Sequence, residues 1–65
     1  KTTVRFYIPQ NSYVSIEIYT IHGKLREILV NSMKNRGIHQ VTWNHSNGKF
    51  IARILINKEL FLRIF

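Results

Sequence analysis

The chain has 65 residues, of which 45% are apolar, and its ten Lys and Arg against three Glu give it a formal net charge of +7. This composition indicates a folded domain and excludes a disordered segment, and no apolar run approaches the roughly 20 residues of a membrane-spanning helix. The absence of Cys excludes a disulfide framework and thiolate metal sites.

Apolar residues recur at every second position through most of the chain, which predicts β-strands. Six such segments, each bounded by turn residues, are predicted at residues 3–8, 13–19, 25–30, 38–43, 50–56 and 60–65. The third segment also fits one helical turn, but it is too short for a helix that stands alone, so a strand is predicted. Residues 31–37 are predicted to form a polar loop that carries Lys34 and Arg36.

Turn residues mark the connections between these segments. Pro9 separates the first two strands, because Pro cannot donate to a β-ladder. Gly23 can take the positive φ that the next hairpin requires. The dipeptide Asn47-Gly48 is the strongest turn signal of the chain, and residues 57–58 are predicted to form the last turn.

Short strands separated by turns predict an all-β fold, either an antiparallel sandwich or a small barrel, and residues 1–65 are predicted to form a single domain. Trp43 shares a face of its strand with Val41, which indicates burial, whereas His39 is predicted on the outer face. The predicted core consists of Val4, Phe6, Ile8, Val14, Ile16, Ile18, Val41, Trp43 and Ile54.

Several motifs resemble, in order, those of a known family. Residues 2–9, TTVRFYIP, are similar to its opening strand, and residues 14–24 resemble its V-x-apolar-x-apolar-Y-D-x-x-G-R/K hairpin. The Leu29-Val30 pair resembles the LV that follows, residues 37–44, GIHQVTWN, match G-x-H-x-V-x-W-N/D, and residues 48–50 lie where the family has S-G-x-Y/F. The family is the C-terminal sorting domain of the type IX secretion system (type A), which is related to the immunoglobulin-like domain of the flagellar hook-capping protein.

This resemblance implies a small immunoglobulin-like β-sandwich of six to seven strands without a catalytic role. It implies the C-terminal part of a longer protein exported by a bacterium to the cell surface or the extracellular space. The implied partner is the outer-membrane translocon, and lipopolysaccharide attachment of the cargo is the implied outcome.

The chain departs from the family pattern at identifiable positions. Thr20 stands where the hairpin has Asp, and Arg26 stands where the family prefers an apolar residue. The loop from Trp43 to Gly48 is shorter than in the family, and the last strand keeps Arg63 as its single basic residue. The Asn44-His45-Ser46 tripeptide has the form of a glycosylation sequon, which we interpret as incidental in a bacterial protein.

No metal site, cofactor or catalytic site is predicted. His22 and His45 fall in predicted turns, and no Cys or Asp accompanies them or His39. No base and orienting acid are placed near a Ser. The hypothesis is therefore a non-enzymatic domain with solvated histidines.

The positive charge has three interpretations. A basic β-domain with exposed aromatic residues can bind nucleic acid, but the cations are spread along the chain and Trp43 is predicted to be buried, so this alternative is less favoured. A solvated basic surface is the simplest interpretation. Attraction to acidic glycan or lipopolysaccharide is the third.

The last predicted strand is apolar on both faces. Leu60, Leu62 and Ile64 share one face, and Phe61 and Phe65 share the other. One face is expected to meet the domain core, and the other either a neighbouring protein domain or a second subunit by strand addition, which would give a homo-oligomer.

These observations predict a non-enzymatic sorting and attachment module. The first alternative is a structural or adhesion subunit of an extracellular fibre, and the second is a basic nucleic-acid-binding domain. The predicted interaction residues are Gly23, Lys24, Lys34, Arg36, Phe61, Arg63 and Phe65.

Overall fold

A computed structural model describes residues 2–44 and 48–65, and within these ranges it contains six strands and no helix. The strands are β1 (Thr2–Ile8), β2 (Ser12–Thr20), β3 (Leu25–Lys34), β4 (Gly37–Trp43), β5 (Phe50–Ile56) and β6 (Glu59–Ile64). The predicted all-β class and the six predicted strands are confirmed. The predictions for His45, for Asn47 and for most of the sequon lie outside the described residues.

The strands form two antiparallel sheets. The larger sheet has the order β3-β2-β5-β6, and the smaller sheet pairs β1 with β4, from Thr2 opposite Trp43 to Ile8 opposite Gly37. The inner faces of the two sheets enclose one apolar core, so the fold is a small antiparallel β-sandwich, as predicted, with overall dimensions of 33 × 21 × 16 Å. No helix long and apolar enough to cross a membrane is found among the described residues.

Alternation places most of the core correctly. The buried apolar residues are Val4, Ile8, Val14, Ile16, Ile18, Trp43, Phe50, Ala52 and Ile54. Phe6 and Val41, which were also predicted in the core, are half-buried, and Phe50 and Ala52 are buried instead. The reason is topological: β1 and β4 form a narrow sheet in which each strand is an edge, whereas β5 lies between β2 and β6.

The predicted polar loop at residues 31–37 is wrong over most of its length. β3 continues through Lys34 because its polar residues pair with β2, with Met33 opposite Tyr13 and Lys34 opposite Ser12. The register between β2 and β3 shifts at two points, between Ile16 and Glu17 and between Ile18 and Tyr19. Such bulges interrupt the two-residue period, which explains the ambiguous pattern at residues 25–30.

The predicted outward position of His39 is also wrong. His39 has the same parity as Trp43 and lies opposite Phe6 in the register, so it belongs to the inner face of the smaller sheet. Its half-buried ring stacks on Phe6 with centroids 5.8 Å apart, and its Nε2 lies 2.7 Å from the Asn35 carbonyl oxygen.

The predicted turn between β5 and β6 is confirmed. Asn57 and Lys58 both have positive φ, at 48° and 70°, as in a two-residue hairpin turn that matches the twist of the flanking strands. Asn tolerates this region, whereas Lys adopts it at a cost.

Candidate functional site

The first predicted interaction residues, Gly23 and Lys24, lie in a hairpin turn that four hydrogen bonds hold together. The Thr20 hydroxyl accepts from the backbone N–H groups of His22 and Lys24 at 3.3 and 3.2 Å. Gly23, at φ 85°, donates its N–H to the Thr20 carbonyl at 2.9 Å, and the Thr20 N–H donates to the Lys24 carbonyl at 2.9 Å. The hydroxyl supplies the acceptor that an Asp side chain supplies in such turns, so Thr20 preserves the local geometry and leaves Lys24 exposed.

Lys34 and Arg36 lie at the opposite end of the molecule. Lys34 is half-buried at the end of β3, and the exposed Arg36 donates its backbone N–H to Asn11 Oδ1 at 2.8 Å. β3 has ten residues, so this end lies about 30 Å from Lys24 at the ordinary rise of a strand. Lys24 therefore does not share one binding site with Lys34 and Arg36.

Phe65 covers the indole of Trp43, the buried centre of the aromatic cluster, and Arg63 lies over the Phe65 ring. Trp43 is 2% exposed and packs edge-on against Phe50, with centroids 5.1 Å apart and an interplanar angle of 85°. Phe65 exchanges backbone hydrogen bonds of 2.8 and 3.0 Å with Phe50, and the Arg63 guanidinium lies 5.6 Å from the Phe65 ring centroid. The predicted interaction residue Phe65 thus has a structural role beside the core, and the exposed Arg63 contacts its ring.

The other face of β6 is apolar and exposed. Leu60, Leu62 and Ile64 are 50%, 66% and 74% exposed. They lie beside the outward residues of β5, with Leu60 opposite Leu55 and Ile64 opposite Ile51. We call Ile51, Leu55, Leu60, Leu62 and Ile64 the outer apolar face. Sequence alternation predicted the β6 residues of this face. The β5 residues were not predicted, although Ile51 and Leu55 share the parity of Arg53 and so could have been placed on the same outward face.

An ion pair joins the middle of this face to β2, because Arg53 lies between Ile51 and Leu55 on β5 and opposite Leu62 on β6. Arg53 Nη1 lies 3.2 Å from Glu17 Oε1, which also accepts from the Tyr19 hydroxyl at 3.1 Å. The hydrogen bond to the Glu17 carboxylate raises the pKa of Tyr19 above its usual value near 10, and desolvation of the phenol adds to this increase. The Arg53 guanidinium is thus paired with a carboxylate of the same sheet.

A groove opens between β1 and β6, at the edge of the sandwich. Its main part has a volume of about 390 Å³, and a second part of about 160 Å³ adjoins it at Tyr7, Ile56 and Phe61. The predicted interaction residue Phe61 is 49% exposed here. Arg63, also predicted, lines the main part together with Arg5.

Among the described residues, no three His, Cys, Asp or Glu come together in a way that could hold a metal ion. His22 is exposed in its turn, and His39 is engaged with Phe6 and Asn35.

Comparison of the chain with protein-family models, with curated proteins and with solved structures finds no match. The resemblance to sorting domains therefore rests on the ordered motifs of the sequence itself.

Proposed function

We propose that the chain is a non-enzymatic sorting and attachment module of an exported bacterial protein, and that it acts through contacts with other proteins at the outer membrane and the cell surface. The motifs at residues 2–9, 14–24 and 37–44 support this proposal by their order and spacing. The antiparallel sandwich is the fold class that the resemblance implies. The Thr20 turn supports it further, because the Thr20 hydroxyl accepts the backbone hydrogen bonds that the Asp at this position of the family motif would accept.

The outer apolar face is the observation that carries the proposal. β6 is one of the two edge strands of the larger sheet, and Leu62 and Ile64 are 66% and 74% exposed on it. Exposed apolar edge strands are normally avoided because they associate with other chains, so one on a small domain marks a contact surface. A secretion translocon or a neighbouring domain is the partner that this role requires.

The basic residues would supply a second, weaker interaction. Lys24 and Arg36 are exposed at the two ends of the molecule, and the net charge is +7. Phosphate-rich lipopolysaccharide or acidic glycan would be attracted to such a surface at low ionic strength.

A surface-display assay tests the proposal. The 65 residues are fused to the C-terminus of a secreted fluorescent reporter in a bacterium that has a type IX system. We expect display at the surface, reduced about tenfold or more by Leu62→Lys, which places a charge on the outer apolar face. Ile38→Lys is the matched control, since Ile38 is 70% exposed on the smaller sheet, and it should leave display unchanged. A reporter that stays in the periplasm would refute the proposal.

A structural or adhesion subunit is the second candidate, favoured by the exposed edge of β6. Strand addition between β6 edges would join subunits into a dimer or fibre. Sedimentation velocity at moderate salt, which screens the repulsion between chains of charge +7, should then show association that Phe61→Glu reduces. A single monomeric species of the unmodified chain across the concentration range would rule this candidate out.

A further inference from the structure

The smaller sheet covers the larger sheet unevenly. On the inner face, Ile16 on β2 and Ala52 on β5 are fully buried, and Ile54 is 8% exposed. Ile56 is only half-buried, and Phe61 on β6 is 49% exposed. Burial thus falls steadily from β2 towards β6, and the inner face of β6 lacks a covering strand among the described residues.

The edge of β1 borders this uncovered area. β1 pairs with β4 along its whole length, and the described part of the chain places no strand on its other side. Four consecutive β1 residues, Val4 to Tyr7, line the groove, so the groove follows the backbone edge and not one side-chain face. Ile54 and Ile56 form its floor. An open backbone edge beside an apolar floor is the arrangement in which an added strand gains both hydrogen bonds and burial.

The two ends of the groove differ in charge. Arg5 and Arg63 line the main part, and the ion pair seen among the described residues, Arg53 with Glu17, lies elsewhere. The Arg5 guanidinium is 3.4 Å from Gln40 Oε1, an exposed contact between neutral and cationic groups. Pro9 and Glu59 line the other end. An occupant with carboxylates near Arg5 and Arg63, and none near Glu59, is therefore electrostatically matched.

We propose that this groove binds an extended acidic peptide of another protein, which adds to the edge of β1 as the third strand of the smaller sheet. Every second side chain of the peptide is apolar and covers Ile54, Ile56 and Phe61. Asp or Glu side chains lie at the end beside Arg5 and Arg63. The edge from Val4 to Pro9 accommodates about six residues, or roughly 20 Å of extended chain.

Charge decides between this occupant and a second copy of the chain. Two copies, each with a net charge of +7 and three Glu, repel one another. An acidic peptide is attracted instead. The proposal concerns peptide recognition by the folded domain and holds whether or not the domain directs export.

The probe is a hexapeptide with blocked termini and Val at every second position. The three remaining positions carry two Asp towards one end and one Thr towards the other. A second peptide has the same sequence in reverse order, because the added strand can run parallel or antiparallel to β1. Amide chemical shifts and hydrogen exchange of the full 65-residue chain are followed during titration. We expect protection of the backbone amides of residues 4–7 that have no partner on β4. The same peptide with its three Val contiguous, or with N-methylated backbone amides, should bind about tenfold more weakly.

Two charge reversals test the polarity of the groove. Arg5→Glu should weaken binding about tenfold, and Arg26→Glu, an identical change at an exposed residue of β3, should weaken it less than about threefold. If both variants weaken binding equally, the peptide is attracted by the net charge of the chain and not by the groove, and the proposal is overturned. It is also overturned if protection maps to the outer apolar face, or if the peptide-free chain dimerises with the β1 amides protected.

Discussion

The ring of Phe65 packs edge-on against the indole of Trp43, with centroids 6.1 Å apart and an interplanar angle of 70°. The two residues belong to different sheets, since Trp43 ends β4 and Phe65 extends the pairing of β6 with β5. This contact ties together the two sheets at the end of the sandwich where the aromatic cluster lies. Loss of the ring should therefore affect both the stability of the fold and the environment of the indole.

Phe65→Ala should lower the free energy of unfolding by about 2 kcal/mol, because it removes a half-buried ring and its edge-on aromatic contact. The emission of Trp43, the single Trp, should shift to longer wavelength in the folded variant. Phe61→Ala is the matched control. It also removes a phenyl ring, but from a site that is 49% exposed. The free energy of unfolding should therefore fall by about 1 kcal/mol, without a shift in the emission of Trp43. Equal costs and unchanged emission would show that the Phe65 ring does not shield the indole.

Replacement of Thr20 tests the hairpin turn. Thr20→Val removes the hydroxyl that accepts from His22 and Lys24, and it should destabilise the chain by about 1 kcal/mol. Hydrogen exchange of those two amides should accelerate. Thr20→Asp restores an acceptor and should keep the stability and the slow exchange. If Val and Asp behave alike, the hydroxyl contributes nothing to the turn.

The turn between β5 and β6 offers a stabilising change. Lys58 has φ 70°, where a side chain with a Cβ is strained, and Gly adopts this region freely. Lys58→Gly should raise the free energy of unfolding by about 1 kcal/mol, measured by urea denaturation. Lys34→Gly, the same substitution at the last residue of β3, where φ is not positive, should instead destabilise the chain. A destabilised Lys58→Gly variant would contradict the assigned turn geometry.

The Tyr19–Glu17 hydrogen bond predicts a pH dependence. The pKa of Tyr19 is raised in the folded chain, so the folded state holds the phenol proton more tightly than the unfolded state. The stabilisation is present below the unfolded pKa near 10 and is lost as pH rises through the folded value. In a Tyr7→Phe, Tyr13→Phe background, Tyr19 is the single Tyr, and its tyrosinate absorbance should titrate above pH 10. Glu17→Gln in that background should move the titration down, and an unchanged titration would refute the assigned cause.

The sequence predicts the strands and most of the core because alternation reports directly which face of a strand is buried. It predicts β6 as apolar on both faces for the same reason. It does not predict that β3 extends through Lys34, because polar residues there are held by backbone pairing with β2 and carry no apolar period. The β1 groove depends on which strands pair and how wide each sheet is, so alternation within a strand cannot reveal it.

The pairing of Thr2 with Trp43 also orders events in time. β1 is made before every other strand, but its partner β4 is completed only after residue 43 leaves the ribosome. Such distant pairing slows folding, because the entropy cost of closing a long loop comes before the stabilising contacts between the two strands form. The hairpin of β2 and β3 can therefore form before the smaller sheet, which closes only after β4 has been made.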